Sequence, residues 1–191
     1  RIVLLTSGKS NSLAASMEIL SFLNSIGRSG EIIHGSCEYI AERISMLAKV
    51  NSARKSLEGK RLGVIGHPSD WLISSSVDRN AVKEKLGIEI VDVTIDELVA
   101  EIGYDACTEN VSELYDNIRK ELETSAPDAV KKYAAGAFDI YHALKKIISR
   151  YSLSGMTLRC FDLLSAVGNT GCLALALLNA EGIPAGCEGD V

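Results

Sequence analysis

A chain of 191 residues with 47% hydrophobic and 24% charged side chains can bury a core in one large or two small domains, which excludes wholesale disorder. Its formal charge of -5 speaks against the basic face of a nucleic-acid binder, so no nucleic-acid partner is expected. No run approaches the roughly 18 apolar residues of a membrane span, and five widely spaced cysteines read as reduced thiols in a cytoplasmic protein.

The first half alternates. Ile2-Val3-Leu4-Leu5 is a continuous apolar run, as in a strand covered on both faces. Ser10 to Ser12 offer caps for a helix whose apolar positions include Leu13, Met17, Leu20, Leu23 and Ile26, and Gly27 closes it. A short strand at Glu31-Ile32-Ile33-His34 precedes a long amphipathic stretch from about Glu38 to Leu57. Arg61 to Gly66 is a third strand, followed by a loop of His67, Pro68, Ser69, Asp70 and Trp71. Val77 to Leu86 reads as a helix and Ile88 to Val93 as a fourth strand. Thr94 with Glu97 is a capping box for the next helix.

The second half is mostly helical from about Asn110 to Tyr151, with a break at Ser125-Ala126-Pro127. Val130, Ala134, Ala137, Tyr141, Leu144, Ile148 and Tyr151 form one apolar stripe, the mark of a helix packed on a sheet. A strand is predicted from Met156 to Leu163, then a helix opened by Gly168 to Gly171. A last strand, Ile183 to Cys187, delivers Glu188-Gly189-Asp190. The fold class expected is α/β, with two successive Rossmann-like three-layer units and mainly parallel sheets. The units are residues 1–107 and 108–191, the second cut short. Absence of an initial Met and the stop at Val191 suggest a piece of a longer polypeptide.

Ligands of such sheets sit at the carboxyl ends of the strands. Two loops therefore stand out, Thr6 to Ser12 and Gly66 to Ser76. Gly8-Lys9-Ser10 ends like a phosphate-binding loop, but the glycine that such a loop needs five residues before its GK pair is Val3 here. His142, among charged neighbours on a helix, reads as a surface residue. His67 and Trp71 follow a strand directly; they either cover a core edge or face a ligand, with Trp71 offering a flat apolar face to a sugar ring. Arg159, in an otherwise apolar strand, either bridges to Asp162 or a helix end, or points at an anionic or hydroxylated ligand. Glu188 and Asp190, two apart on an extended chain, would share a side. Paired carboxylates suit a hard divalent cation or proton transfer, and a solvated turn fits the spacing equally.

The run Met156-Thr157-Leu158-Arg159-Cys160-Phe161-Asp162, with Gly171-Cys172-Leu173-Ala174 and Asn179 through Gly182-Ile183 to Cys187-Glu188-Gly189-Asp190, resembles the L-fucose isomerase and L-arabinose isomerase superfamily. It is nearest the L-fucose isomerase-like branch. Leu4-Leu5-Thr6-Ser7-Gly8 and Gly66-His67-Pro68-Ser69-Asp70-Trp71 agree in order, but the resemblance is specific only from Met156 onward. It implies two Rossmann-like units ahead of a barrel-containing domain, and a homo-oligomer in which a neighbouring subunit lends residues such as Trp71 and His67 to the site. It also implies a divalent metal, usually Mn²⁺, and carboxylates that move protons through an ene-diol. The metal glutamate of the family's E-x-D motif falls on Glu188, with Asp190 and Arg159 as further site candidates. The family's remaining metal ligands lie beyond this motif, so this portion alone is expected to be inactive. The expectation is an N-terminal portion of a metal-dependent aldose–ketose isomerase with a sugar substrate; the alternative is a non-catalytic sugar-binding or sugar-sensing module.

Overall fold

The computed structural model describes residues 2–74, 76–102 and 112–191. The expected boundary between residues 107 and 108, Cys107 and the helix start near Asn110 lie outside these. The chain is α/β with parallel pairing throughout its described sheets. It divides into two compact units, Arg1–Ser56 and Leu57–Val191.

The first unit holds β1 (Ile2–Thr6), α1 (Ser12–Ser25), β2 (Gly30–His34) and all but the last residue of α2 (Cys37–Leu57). β1 and β2 pair in parallel from Ile2 opposite Gly30 to Thr6 opposite His34. At their carboxyl ends Thr6 Oγ1 and His34 Nδ1 share a hydrogen bond of 2.7 Å. Within the expected Ser10 to Ser12 segment the N-cap of α1 is Asn11, which is left-handed and caps without its side chain. Gly27 closes the helix as expected, at φ 70°, and Arg28 N–H reaches back to Leu23 O, the usual glycine stop.

The second unit contains β3 (Arg61–Ile65), α3 (Arg79–Leu86), β4 (Glu89–Val93), α4 (Ile95–Glu101), α5 (Glu113–Ser125), α6 (Asp128–Tyr151), β5 (Gly155–Leu158), α7 (Asp162–Val167), α8 (Cys172–Ala180) and β6 (Ala185–Cys187). Its four strands form one parallel sheet in the order β4-β3-β5-β6. This differs from the expected division at 107/108, because β3 and β4 lie in the same sheet as β5 and β6. The helical stretch that looked like the opening of a new unit is instead a long crossover. It returns the chain from β4 to the other side of β3, and parallel neighbours require such a connection.

Local signals start these helices. Asp78 accepts from Asn80 and Ala81 N–H at the start of α3, Thr94 from Glu97 N–H at α4 and Ser112 from Tyr115 N–H at α5, each satisfying an orphan donor. α6 lays its stripe into the core. Ala134, Ala137, Tyr141 and Leu144 are buried together with Ile140 and Ile147, while Val130 is exposed. Around them gather Ile65, Val93, Leu98, Met156, Leu158, Leu163 and Leu178 in one cluster.

His142 is not the surface residue expected. It is buried, and its Nε2 bonds Tyr115 Oη at 2.8 Å. α5 covers the α6 face that carries it, and Tyr115 packs edge-on against its ring. Burial holds its pKa below the ordinary value, as desolvation disfavours the imidazolium.

Candidate functional site

In a parallel sheet the strand order decides where a crevice opens. From β3 the chain goes to β4 on one side, and β5 then takes the other side. Loops leaving β3 and β5 at their carboxyl ends therefore diverge, and the space between them is the topological switch point at which such sheets receive ligands. Three loops meet there: His67–Trp71 after β3, Arg159–Phe161 after β5 and Glu188–Asp190 after β6.

The approach is close. At Gly66, φ 85°, an added Cβ would sit 2.8 Å from Arg159 Cβ, so only glycine admits both the backbone turn and the contact. At Gly189, φ 71°, it would sit 2.6 Å from His67 O. The glycines beside the two expected site segments thus let those segments touch.

Arg159 lies just past β5 rather than within a strand. The strand predicted to run to Leu163 ends at Leu158, and α7 begins at Asp162. A guanidinium that is 15% exposed needs partners, and it has several. Its Nε donates to Asp162 Oδ1 at 3.0 Å and its Nη1 to Pro68 O at 3.1 Å, with Asp70 Oδ1 at 3.6 Å. Nη1 also lies 2.5 Å from His67 Nδ1. The same Nδ1 also lies 2.9 Å from Pro68 O. The bridge to Asp162 is present, and the same side chain reaches the loop that carries His67 and Trp71.

Glu188 is held from the same loop. Ser69, buried, donates its hydroxyl to Glu188 Oε2 at 2.9 Å and its N–H to Glu188 O at 3.0 Å. Glu188 itself is left-handed, φ 67°, and Gly189 follows it in the same region. A non-glycine residue there carries strain of about 1–3 kcal/mol, of the kind that collects at functional sites. This turn corrects the expectation that Glu188 and Asp190 share one side of an extended chain. β6 stops at Cys187, and the two left-handed residues leave Glu188 half-buried and Asp190 exposed.

Trp71 is 61% exposed and stands beside Phe161, ring centroids 6.2 Å apart at 58°. Both aromatics flank the Arg159 cluster on the solvent side. The His67 carbonyl therefore lies against Gly189, next to Glu188, within one chain. Ser69 and Phe161 were not singled out from the sequence. Ser69 lies in a loop that was, and a hydroxyl two residues after His67 is the only signal that pointed to it. The other loop expected to face a ligand, Thr6 to Ser12, belongs to the first unit and carries none of these residues.

The cluster can present an oriented carboxylate, a fixed guanidinium and an aromatic face to a polyhydroxylated molecule. A Mn²⁺ site is a different demand. Glu188 brings one carboxylate, beside a serine hydroxyl and the Cys187 thiol, 3.9 Å from Oε1. Among the described residues no group of three or more His, Cys, Asp or Glu side chains is placed to hold a metal ion. A hard divalent cation takes about six oxygen ligands, so these residues alone do not fit one. No helix among the described residues is long and apolar enough to cross a membrane. No protein-family model matches this chain, and no curated protein matches it.

Proposed function

We propose that this chain is the N-terminal portion of an aldose–ketose isomerase of the L-fucose/L-arabinose type, with the switch-point cluster as its contribution to the sugar site. What supports this reading is the convergence of Glu188, Arg159, His67 and Trp71, picked out separately in the sequence, at the carboxyl end of one parallel sheet. Trp71 and Phe161 take the apolar face of the sugar, since flat aromatic surfaces pack on C–H faces while hydroxyls stay wet. Arg159 donates to a hydroxyl or carbonyl oxygen. Glu188, pinned by Ser69, is the carboxylate aimed at the reacting carbons, and Asp190 is the exposed second carboxylate for proton movement. In this reading a divalent metal such as Mn²⁺ would supply the electrophile, with Glu188 as one of several ligands. The protein acts in the cytoplasm as a homo-oligomer.

The test uses the full-length polypeptide that carries this chain. It is incubated with Mn²⁺ and a panel of aldoses, and ketose formation is followed with and without EDTA, beside Glu188→Gln. Turnover that needs the metal and is lost in the variant is the expected result. One observation favours the second reading, a non-catalytic sugar-binding module: Nε and Nη1 of Arg159 already have partners within the chain. Sugar binding that survives EDTA without any ketose formation would establish that module and sink the isomerase.

A further inference from the structure

The long crossover encloses a cavity of about 150 Å³ between α5 and α6, and none of its lining residues belongs to the switch-point cluster. Its inner wall is Tyr115, Ala134, Phe138 and His142, all buried, with Leu122 beside them. Arg119, Glu123, Lys131 and Asp139 line its solvent-facing end. The wall is tightly built: Tyr115 packs edge-on to Phe138 with ring centroids 4.9 Å apart and stacks on Tyr141 at 5.1 Å. Set into this apolar surface is a buried polar pair, Tyr115 Oη and His142 Nε2 2.8 Å apart, which the chemistry at the sheet does not use.

We propose that this cavity is a binding site for a small neutral phenol, a single aromatic ring carrying one hydroxyl. The ring lies among Leu122, Ala134 and Phe138, and the ligand hydroxyl donates to Tyr115 Oη. The site stands whatever reaction the switch point carries.

Size, polarity and charge each narrow the ligand. A cavity of this volume accepts a benzene ring and little more. Aromatic neighbours favour an aromatic occupant, because edge-to-face or offset ring contacts add to the burial of apolar area. A phenolic oxygen has one donor and two acceptor sites, so Tyr115 Oη keeps acceptor capacity beyond its bond to His142. A purely apolar ligand would cut that oxygen off from water without replacing the lost hydrogen bond, whereas a hydroxyl replaces it. Charge argues against an anion. The lining cations Arg119 and Lys131 are matched by Glu123 and Asp139, and Arg119 Nε already donates to Glu123 Oε1 at 2.9 Å. Burial lowers the pKa of His142, so its ring adds no positive charge near neutrality.

Phenol itself is the probe. It is titrated into the unmodified chain while the imidazole resonances of His34, His67 and His142 are followed by NMR. The His142 signals should shift saturably, half-maximal at or below about 1 mM, with those of His34 and His67 unmoved. Ala135 is exposed and lines the cavity, so Ala135→Phe fills the opening without replacing a core residue. It should raise the half-saturation point about tenfold or more. Tyr115→Phe keeps the ring and should raise it about fivefold, the loss of one hydrogen bond. Benzoate, the same ring with a charged group, should bind at least about tenfold more weakly than phenol. A His142 signal that does not respond, an Ala135→Phe variant that binds phenol as tightly as the parent, or benzoate binding tighter than phenol overturns the site. The parent and Ala135→Phe titrations decide this even if Tyr115→Phe folds poorly.

Discussion

The two units use the same elements and reach different densities. The second lines four strands in one sheet and gathers a continuous core, from Ile65 on β3 through Ile140, Tyr141 and Leu144 on α6 to Leu178 on α8. The first pairs two strands, and Leu23 and Ile33 are its buried hydrophobic residues among those described. Its α2, read as amphipathic, has no buried residue. Val3 and Leu5 on β1, and Met17 and Phe22 on α1, are exposed. Apolar pattern in the sequence is therefore not burial; a strand or helix buries its apolar face only where another element covers it. The candidate site follows the same division. A sheet with a switch point lies in the second unit, and the candidate side chains stand on its loops, where a scaffold can hold them.

The comparison breaks most sharply under core truncation. Leu144→Ala, in the second unit, should cost about 2–5 kcal/mol, the range for emptying a packed site. Met17→Ala, in the first, should change stability by no more than about 0.5 kcal/mol. Urea unfolding of both variants checks this, and equal losses would erase the distinction between the units.

A smaller effect tests whether the loops of the second unit are held as tightly as its core. Gly189→Ala should cost about 1–3 kcal/mol, because a left-handed residue gains a Cβ that runs into the His67 carbonyl. Trp71, the single tryptophan of the chain, should change its emission in the same variant as the His67–Trp71 loop is pushed aside. Unchanged emission would mean that the two loops move independently.

Ser69→Ala should cost about 1 kcal/mol by leaving a half-buried Glu188 oxygen without its donor. Ser69→Thr, which keeps the hydroxyl, should recover part of it. Equal stability of the alanine variant and the parent, measured by denaturant unfolding, would remove Ser69 from the account of Glu188.

A pH effect just below neutrality belongs to His142. Its pKa is lowered in the folded chain, chiefly by burial, with Asp139 opposing and Arg119, Lys146 and Lys145 assisting. The unfolded chain then binds the proton more readily, so the group's contribution is full above its ordinary value of 6.5 and is lost as pH falls through the folded value. Stability should decline on acidification over this window, and His142→Gln should flatten the decline. An unchanged slope by thermal unfolding across pH would place the acid sensitivity elsewhere.

Legibility from the sequence tracked locality. The strands at Ile2, Arg61 and Glu89, the Thr94 cap, the Gly27 stop and the stripe of α6 were readable, because each is set by residues a few positions apart. The end of β5 was misread because Phe161, Leu163 and Leu164 extend the apolar run past Arg159. That run belongs to a turn and to α7, with Leu163 buried while Phe161 and Leu164 are exposed. Asp162 starts the helix. His142 was misread because its charged neighbours face solvent while the ring itself lies under Tyr115.

By itself the sequence determined the α/β class, the order of elements and the short acidic and aromatic segments that deserved scrutiny, since periodicity, caps and glycines act within a turn or two of chain. The tertiary structure alone decided that β3, β4, β5 and β6 share one sheet. It also decided that Ser69 would clamp Glu188 across 119 positions, and that the Cys160 thiol would accept the Gly171 N–H. Those pairings depend on crossover handedness and on which strand edges remain open, and no local signal in the chain encodes either.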